Sequence, residues 1–111
     1  KKILLSYKGF FMYIAMNRFK IVLGKEEQFE KIWIDRESNL DNVPGFLKFN
    51  LIKGNTESDF TLYASHSTWE SENDFIKWTK SESFRESHKD AGKHKNIYIG
   101  HPLFEGFKVV L

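Results

Sequence analysis

Residues 10 to 23 read Phe-Phe-Met-Tyr-Ile-Ala-Met-Asn-Arg-Phe-Lys-Ile-Val-Leu. Alternation divides this run into two faces. One carries Phe11, Tyr13, Ala15, Asn17, Phe19, Ile21 and Leu23; the other carries Met12, Ile14, Met16, Arg18, Lys20 and Val22. A period of two marks a β-strand, and two apolar faces in its first half imply cover on both sides of a sheet. Asn17 interrupts the greasier face. A buried amide without a partner is costly, so Asn17 must bond either to backbone at a strand edge or to something held against the sheet.

The remaining elements can be read outward from this strand. Gly24 ends it, and Lys25 to about Leu40 has the pattern of a helix, with Glu26 and Glu27 in the first turn where the helix dipole favours acids. Phe29, Ile32, Trp33, Arg36 and Leu40 mark its buried face, with Trp33 expected in the core and Arg36 reaching solvent along its stem. Asp41 to Gly45 is a turn cluster. Residues 46 to 53 alternate again, with Leu47, Phe49 and Leu51 on one face and Phe46, Lys48, Asn50 and Ile52 on the other. A polar loop over 54 to 59 leads to a third strand over 60 to 69, making a hairpin in which His66 is expected as a structurally bonded histidine.

Ser71 is a good N-cap with Asp74 three positions on. Phe75 and Trp78 then share a helical face. Thr79 with Glu82, and Ser83 with Glu86, both fit the capping-box pattern, so the helix is expected to restart near 79 to 83. Phe84 and His88 share a face of the second piece. Asp90-Ala91-Gly92 closes it, 93 to 102 reads as a loop, and 104 to 111 as a final strand. The order strand, helix, strand, strand, helix, strand is the split βαβ plan of an α+β ferredoxin-like fold, an antiparallel sheet with helices on one face. Met12, Ile14, Met16, Phe46 and Ile52 would lie open on the other face, so a second subunit is expected there.

The totals fit this plan. A chain of 111 residues suits one domain, assigned to 12–111 with residues 1–11 as an extension and Met12 as an alternative start. Hydrophobic residues at 41% supply a core, and aromatics at 16% suit a cofactor pocket or a subunit interface as well as an aromatic-rich core. The net charge of +2 comes from interspersed signs, with no stripe to track phosphates, so nucleic acid is not favoured. The absence of Cys removes disulfides, thiolate catalysis and Cys-ligated metals. No apolar run reaches membrane-spanning length, and the start lacks a signal-peptide cleavage site, so a soluble cytoplasmic protein without membrane contact is expected.

In the split βαβ plan, Asn17, Trp78 and His88 can face one cavity between sheet and helices. Each alone has an ordinary explanation: a structural amide, a core indole, a cation at a helix end. Together they lack a nucleophile with a base, and they lack paired carboxylates, so hydrolase and glycosidase chemistry is not supported. A neutral imidazole can bind haem iron axially, and a flat aromatic with an amide donor would complete such a site.

On Met16-Asn17-Arg18, Trp69-Glu70-Ser71 with Phe75 and Trp78, and Trp78 through Phe84 to His88, the chain resembles the antibiotic biosynthesis monooxygenase (ABM) superfamily, and within it the IsdG-type haem-degrading monooxygenases. The tail Gly100-His101-Pro102-Leu103-Phe104-Glu105-Gly106-Phe107 is similar to haem-degrading members as well. The resemblance covers about Met12 to Leu111 and implies a dimeric α+β barrel with one haem per subunit. It implies that His88 ligates iron, that Asn17 donates to the ligand on iron, and that Trp78 presses the porphyrin out of plane. It further implies dioxygen and an external electron donor, a reductase or small reductant, as co-reactants, with iron and an opened tetrapyrrole as products. Lys93, His94 and Lys95 are candidates to meet the propionates. Two alternatives stand beside it: a cofactor-independent ABM oxygenase of quinol-like or polyketide aromatics, and a non-catalytic haem-binding or signalling module.

Overall fold

The computed structural model describes residues 11–36, 40–88 and 91–111. The first ten residues of the expected extension, and Asp90 of the expected helix closure, lie outside the described residues. Four strands, β1 (Tyr13–Val22), β2 (Phe46–Thr56), β3 (Phe60–Trp69) and β4 (Leu103–Lys108), form one sheet in the order β2-β3-β1-β4. Every pairing is antiparallel. Helices α1 (Glu26–Asp35), α2 (Glu72–Thr79) and α3 (Glu82–His88) pack on one side, with 3-10 turns at Leu40–Asn42 and Ala91–Ile97. This is the expected ferredoxin-like α+β plan, and the sheet of the single chain is open rather than closed into a barrel. No helix among the described residues is long and apolar enough to cross a membrane.

Several elements differ from the sequence reading, and β2 itself runs on to Thr56, into the loop expected from residue 54. Helix α1 stops at Asp35, because Arg36 turns to extended backbone while its N–H still donates to the Trp33 carbonyl at 3.4 Å; Leu40 therefore belongs to the 3-10 turn. The last strand ends at Lys108, although the Val109 N–H still reaches the Met12 carbonyl at 2.8 Å. Strand β2 shifts register between Phe46 and Lys48. One extra residue reverses every side chain before it, so Phe46 turns to the helix side and meets Trp69 edge to face at 5.5 Å. Phe46 thus leaves the outer face, where Met12, Ile14, Met16 and Ile52 remain and Leu103 and Phe107 of β4 join them.

The helix-facing side of the sheet holds two cores rather than one. Phe19, Ile21, Phe29, Tyr63 and Ile97 make the first, beneath α1. Tyr13, Ala15 and Trp69 make the second, with Phe46, Phe75 and Trp78 packed against them. Asn17 sits between Ala15 and Phe19 on β1, at the seam. Its register partner on β3 is Ser65, followed on the same face by Ser67. Two glycines make the close approaches possible. Gly45 takes φ +83 where the chain turns into β2, and its carbonyl accepts the Glu70 N–H at 2.7 Å. Gly106 lies opposite Ala15, where a Cβ would collide with the Tyr13 ring.

Candidate functional site

The break between α2 and α3 creates the site. In a continuous helix, residues ten apart are separated by about 15 Å along the axis and point in different directions. Here the Trp78 and His88 rings lie 5.9 Å apart. Ser81 makes the break. Its hydroxyl donates to the Trp78 carbonyl at 2.6 Å, closing α2, and accepts the Phe84 N–H at 3.1 Å, opening α3. The caps expected at Thr79 and Ser83 are not used: Thr79 donates back to the Ile76 carbonyl at 2.6 Å. The cap at Ser71 is as read from the sequence, accepting the Asp74 N–H at 3.1 Å.

Phe84 joins the two rings. It meets Trp78 edge to face at 4.8 Å and stacks on the His88 imidazole at 4.1 Å. Its carbonyl lies 2.9 Å from His88 Nδ1. A carbonyl can only accept, so Nδ1 carries the proton and the lone pair of the neutral ring resides on Nε2. Burial pushes the His88 pKa below its ordinary value. The hydrogen bond to Phe84 opposes that shift, and the Arg36 charge reinforces it. Neutral imidazole with an oriented tautomer is the state that binds a metal.

Between the cores lies a cavity of about 1890 Å³. Asn17, Ser65 and Ser67 floor it; Phe75, Trp78, Phe84, His88 and Phe104 line one side; Trp33, Arg36 and Tyr98 line the other. Phe104 pairs with Asn17 and stacks on Phe75 at 5.7 Å. The structure therefore brings Asn17, Trp78 and His88 to one cavity, and the side chain of Asn17 has no hydrogen bond to the described residues. Its amide opens to the cavity and not to a backbone partner at a strand edge. His94 and Lys95 line the rim, carried there by a segment whose Ile99 N–H bonds the Lys20 carbonyl at 2.8 Å. The side chain of Lys93 lies outside the described residues. His66 pairs with Met16 on the outer face and takes no part.

Two buried side-chain polar atoms lack a partner among the described residues, the indole nitrogens Nε1 of Trp78 and Nε1 of Trp33, whose side chains line this cavity. A buried N–H left unpaired costs on the order of 1–3 kcal/mol. Helical spacing places Trp33 in the core. It does pack against the first core, yet it also walls the cavity, stacked on Phe49 at 5.5 Å and covered by the Arg36 guanidinium at 4.1 Å. Arg36 does not run to solvent as expected; it is half-buried, and burial lowers its pKa. The sequence signals for the polar floor are faint: Ser65 and Ser67 fall in phase opposite Asn17. No cluster of three or more His, Asp or Glu able to hold a metal occurs among the described residues.

Residues 12–90 match the profile of the family described as Antibiotic biosynthesis monooxygenase. A heme oxygenase (staphylobilin-producing) of Staphylococcus saprophyticus is 28% identical over 85 residues, 77% of this chain and 81% of that one. A heme-degrading monooxygenase of Shouchella clausii is 27% identical over 92 residues, 83% of this chain and 85% of that one. Among solved structures, the heme-degrader MhuD of Mycobacterium tuberculosis with two hemes bound in its active site superposes with a TM-score of 0.68. It is 26% identical, and the match covers 89% of this chain and 96% of MhuD.

The depressed pKa of His88 predicts a pH dependence of stability. Below the ordinary value of 6.5 the unfolded chain takes up the proton more readily than the folded one. The contribution of His88 is therefore complete above that value and declines as pH falls beneath it. Urea midpoints measured from pH 7.5 to 5 should fall more steeply for the wild type than for His88→Gln; parallel curves would contradict the buried neutral state.

Proposed function

This chain belongs to the antibiotic biosynthesis monooxygenase family, and on that premise we propose that it is a haem-degrading monooxygenase. It would bind haem as substrate and, with dioxygen and electrons from an external reductant, open the porphyrin ring and release iron, working in the cytoplasm. The observation that carries this reading is the orientation of His88. Its Nδ1–H is committed to the Phe84 carbonyl, so the lone pair on Nε2 is the one offered to a metal. The cavity also suits a porphyrin by its chemistry: aromatic walls for a flat apolar ring, and cationic Arg36 and Lys95 for its carboxylates. The relatives named as heme oxygenase and heme-degrading monooxygenase support the same substrate.

In this reading His88 holds the iron. Bound haem supplies the activation of dioxygen; the protein supplies position and electrostatics. Asn17 would offer its amide hydrogen to oxygen entering the cavity. Trp78, packed against Trp69 at 5.4 Å and Phe84 at 4.8 Å, would bear on the porphyrin face with those rings behind it. Phe75 and Phe104 exclude water from that side.

Two subunits would share the assembly. The open sheet presents Met12, Ile52, Leu103 and Phe107 on its outer face, each more than two-fifths exposed, and a second copy laid against it would close an α+β barrel. Sedimentation should give a dimer for the wild type and a monomer for Phe107→Asp; a wild-type monomer at micromolar concentration would refute the pairing.

Titration of the apoprotein with ferric haem should produce a Soret band. His88→Ala should weaken binding by roughly tenfold or more, the scale on which metal-site residues act. Trp78→Phe should leave affinity nearly unchanged while slowing loss of the band under ascorbate and air. If His88→Ala gives the wild-type spectrum and affinity, axial ligation is wrong.

A further inference from the structure

The floor of the cavity carries one hydroxyl that the fold does not use. Thr61, Ser65 and Ser67 share the helix-facing side of β3. Thr61 is buried and satisfied: its hydroxyl donates to Glu26 Oε2 at 2.7 Å and lies 3.0 Å from Thr56 Oγ1. Ser67 is satisfied as well, accepting the Trp69 indole N–H at 2.9 Å and donating to the Ala15 carbonyl at 3.4 Å. Ser65 sits between them, 8% exposed, and its hydroxyl joins no hydrogen bond with the described residues. Its neighbours explain why. Leu51 of β2 flanks it on one side and offers nothing polar; Tyr63, two positions back on the same face, has its hydroxyl donated to Glu30. A buried hydroxyl without a partner costs on the order of 1–3 kcal/mol, a cost that alanine at this position would avoid. The open side of Ser65 is the cavity it lines.

On its other side Ser65 meets Asn17, its register partner on β1. Side chains paired across antiparallel strands have Cβ atoms about 4.5–5.5 Å apart, close enough for an amide and a hydroxyl to reach one small oxygen ligand together. Apolar residues bound the pair across the sheet, Leu51 beyond Ser65 and Phe104 beyond Asn17, so the polar spot is two residues wide. We propose that Ser65 is a further catalytic residue of this cavity, its hydroxyl donating beside the Asn17 amide to the small oxygen ligand that reacts there. The proposal rests on the haem reading and deepens it. One donor sets a distance; two donors set a direction. The pair thereby decides which way the oxygen leans, and so which edge of the porphyrin it meets. Ser67, committed to Trp69 and Ala15, supports the strand and takes no part in this contact.

The test uses the full chain loaded with ferric haem, and fluoride as the probe, a small anion that accepts hydrogen bonds and is read optically without turnover. Ser65→Ala removes one oxygen atom and leaves the strand as it is. In Soret titration it should bind haem as the wild type does, because the hydroxyl does not hold the ring. It should bind fluoride about tenfold more weakly, the value of one hydrogen bond to a charged acceptor. Carbon monoxide on the ferrous complex gives a second reading: its stretching band should move to higher wavenumber when the donor is lost. Ser67→Ala should lower the thermal unfolding midpoint, since Trp69 loses its acceptor, and leave the fluoride affinity unchanged. Thermal unfolding checks that Ser65→Ala folds, and Ser65→Cys, close in size but a poor donor, replaces it if it does not. The proposal is overturned if the folded variant binds fluoride like the wild type or leaves the carbonyl band in place, if its haem affinity falls in parallel, or if Ser67→Ala matches its loss. A wild type that forms no Soret band removes the haem reading itself, and this contact with it.

Discussion

A strip of polar side chains across the middle of the sheet is the constraint on which the rest depends. Asn17 and Ser65 are register partners, and Ser67 follows on the same face. Had these positions been Leu or Val, Phe19 and Ala15 would belong to one continuous core, and the helices could settle against it. The strip instead divides the apolar surface into a cluster under α1 and a cluster around Trp69. Each helix packs on its own cluster, and the space between them stays open. Trp69 shows how the strip is kept in order: its indole N–H donates to Ser67 at 2.9 Å, and Ser67 reaches the Ala15 carbonyl at 3.4 Å. At Asn17 the floor instead turns a polar group toward the cavity, where its amide is left for whatever enters.

The second structural decision is the break at Ser81. One hydroxyl serves two helix ends, donating to the last turn of α2 and accepting from the first turn of α3. That sharp turn folds α3 back so that His88 stacks on Phe84 and Phe84 meets Trp78 edge to face, and the same Phe84 that supports the imidazole by its ring also fixes its tautomer by its carbonyl. Local sequence, helix geometry and metal-binding chemistry meet in three residues. Removing the Ser81 hydroxyl would strip two terminal bonds at once, and its effect would be felt at the imidazole before it was felt in the core.

Much of this architecture is legible in the residues. The alternation of β1 and β3 fixes two central strands; the Ser71 cap and the doubled capping pattern announce both the start of α2 and its interruption. What escapes is set by tertiary register. Nothing local distinguishes Leu47 as the residue displaced in β2, yet that single shift carries Phe46 from the outer face to the core. Three candidate hydroxyls lie within five positions, and only packing of α3 selects Ser81. Trp33 has the spacing of a core residue and packs against the core; that its ring also walls a cavity is set by tertiary packing. The amide of Asn17 announces the need for a partner, and the three-dimensional arrangement turns that need toward the cavity rather than toward backbone.

The central claim is that this scaffold makes haem a substrate and not merely a ligand. The most direct measurement follows the ferric haem complex in air after addition of ascorbate, with catalase present to remove free peroxide and ferrozine to trap released iron. Degradation on the protein predicts that the Soret band disappears while the iron–ferrozine band grows in proportion, and that Trp78→Phe retards both. A Soret band that persists through repeated reduction, with no iron trapped, would contradict it and leave a haem-binding protein without turnover.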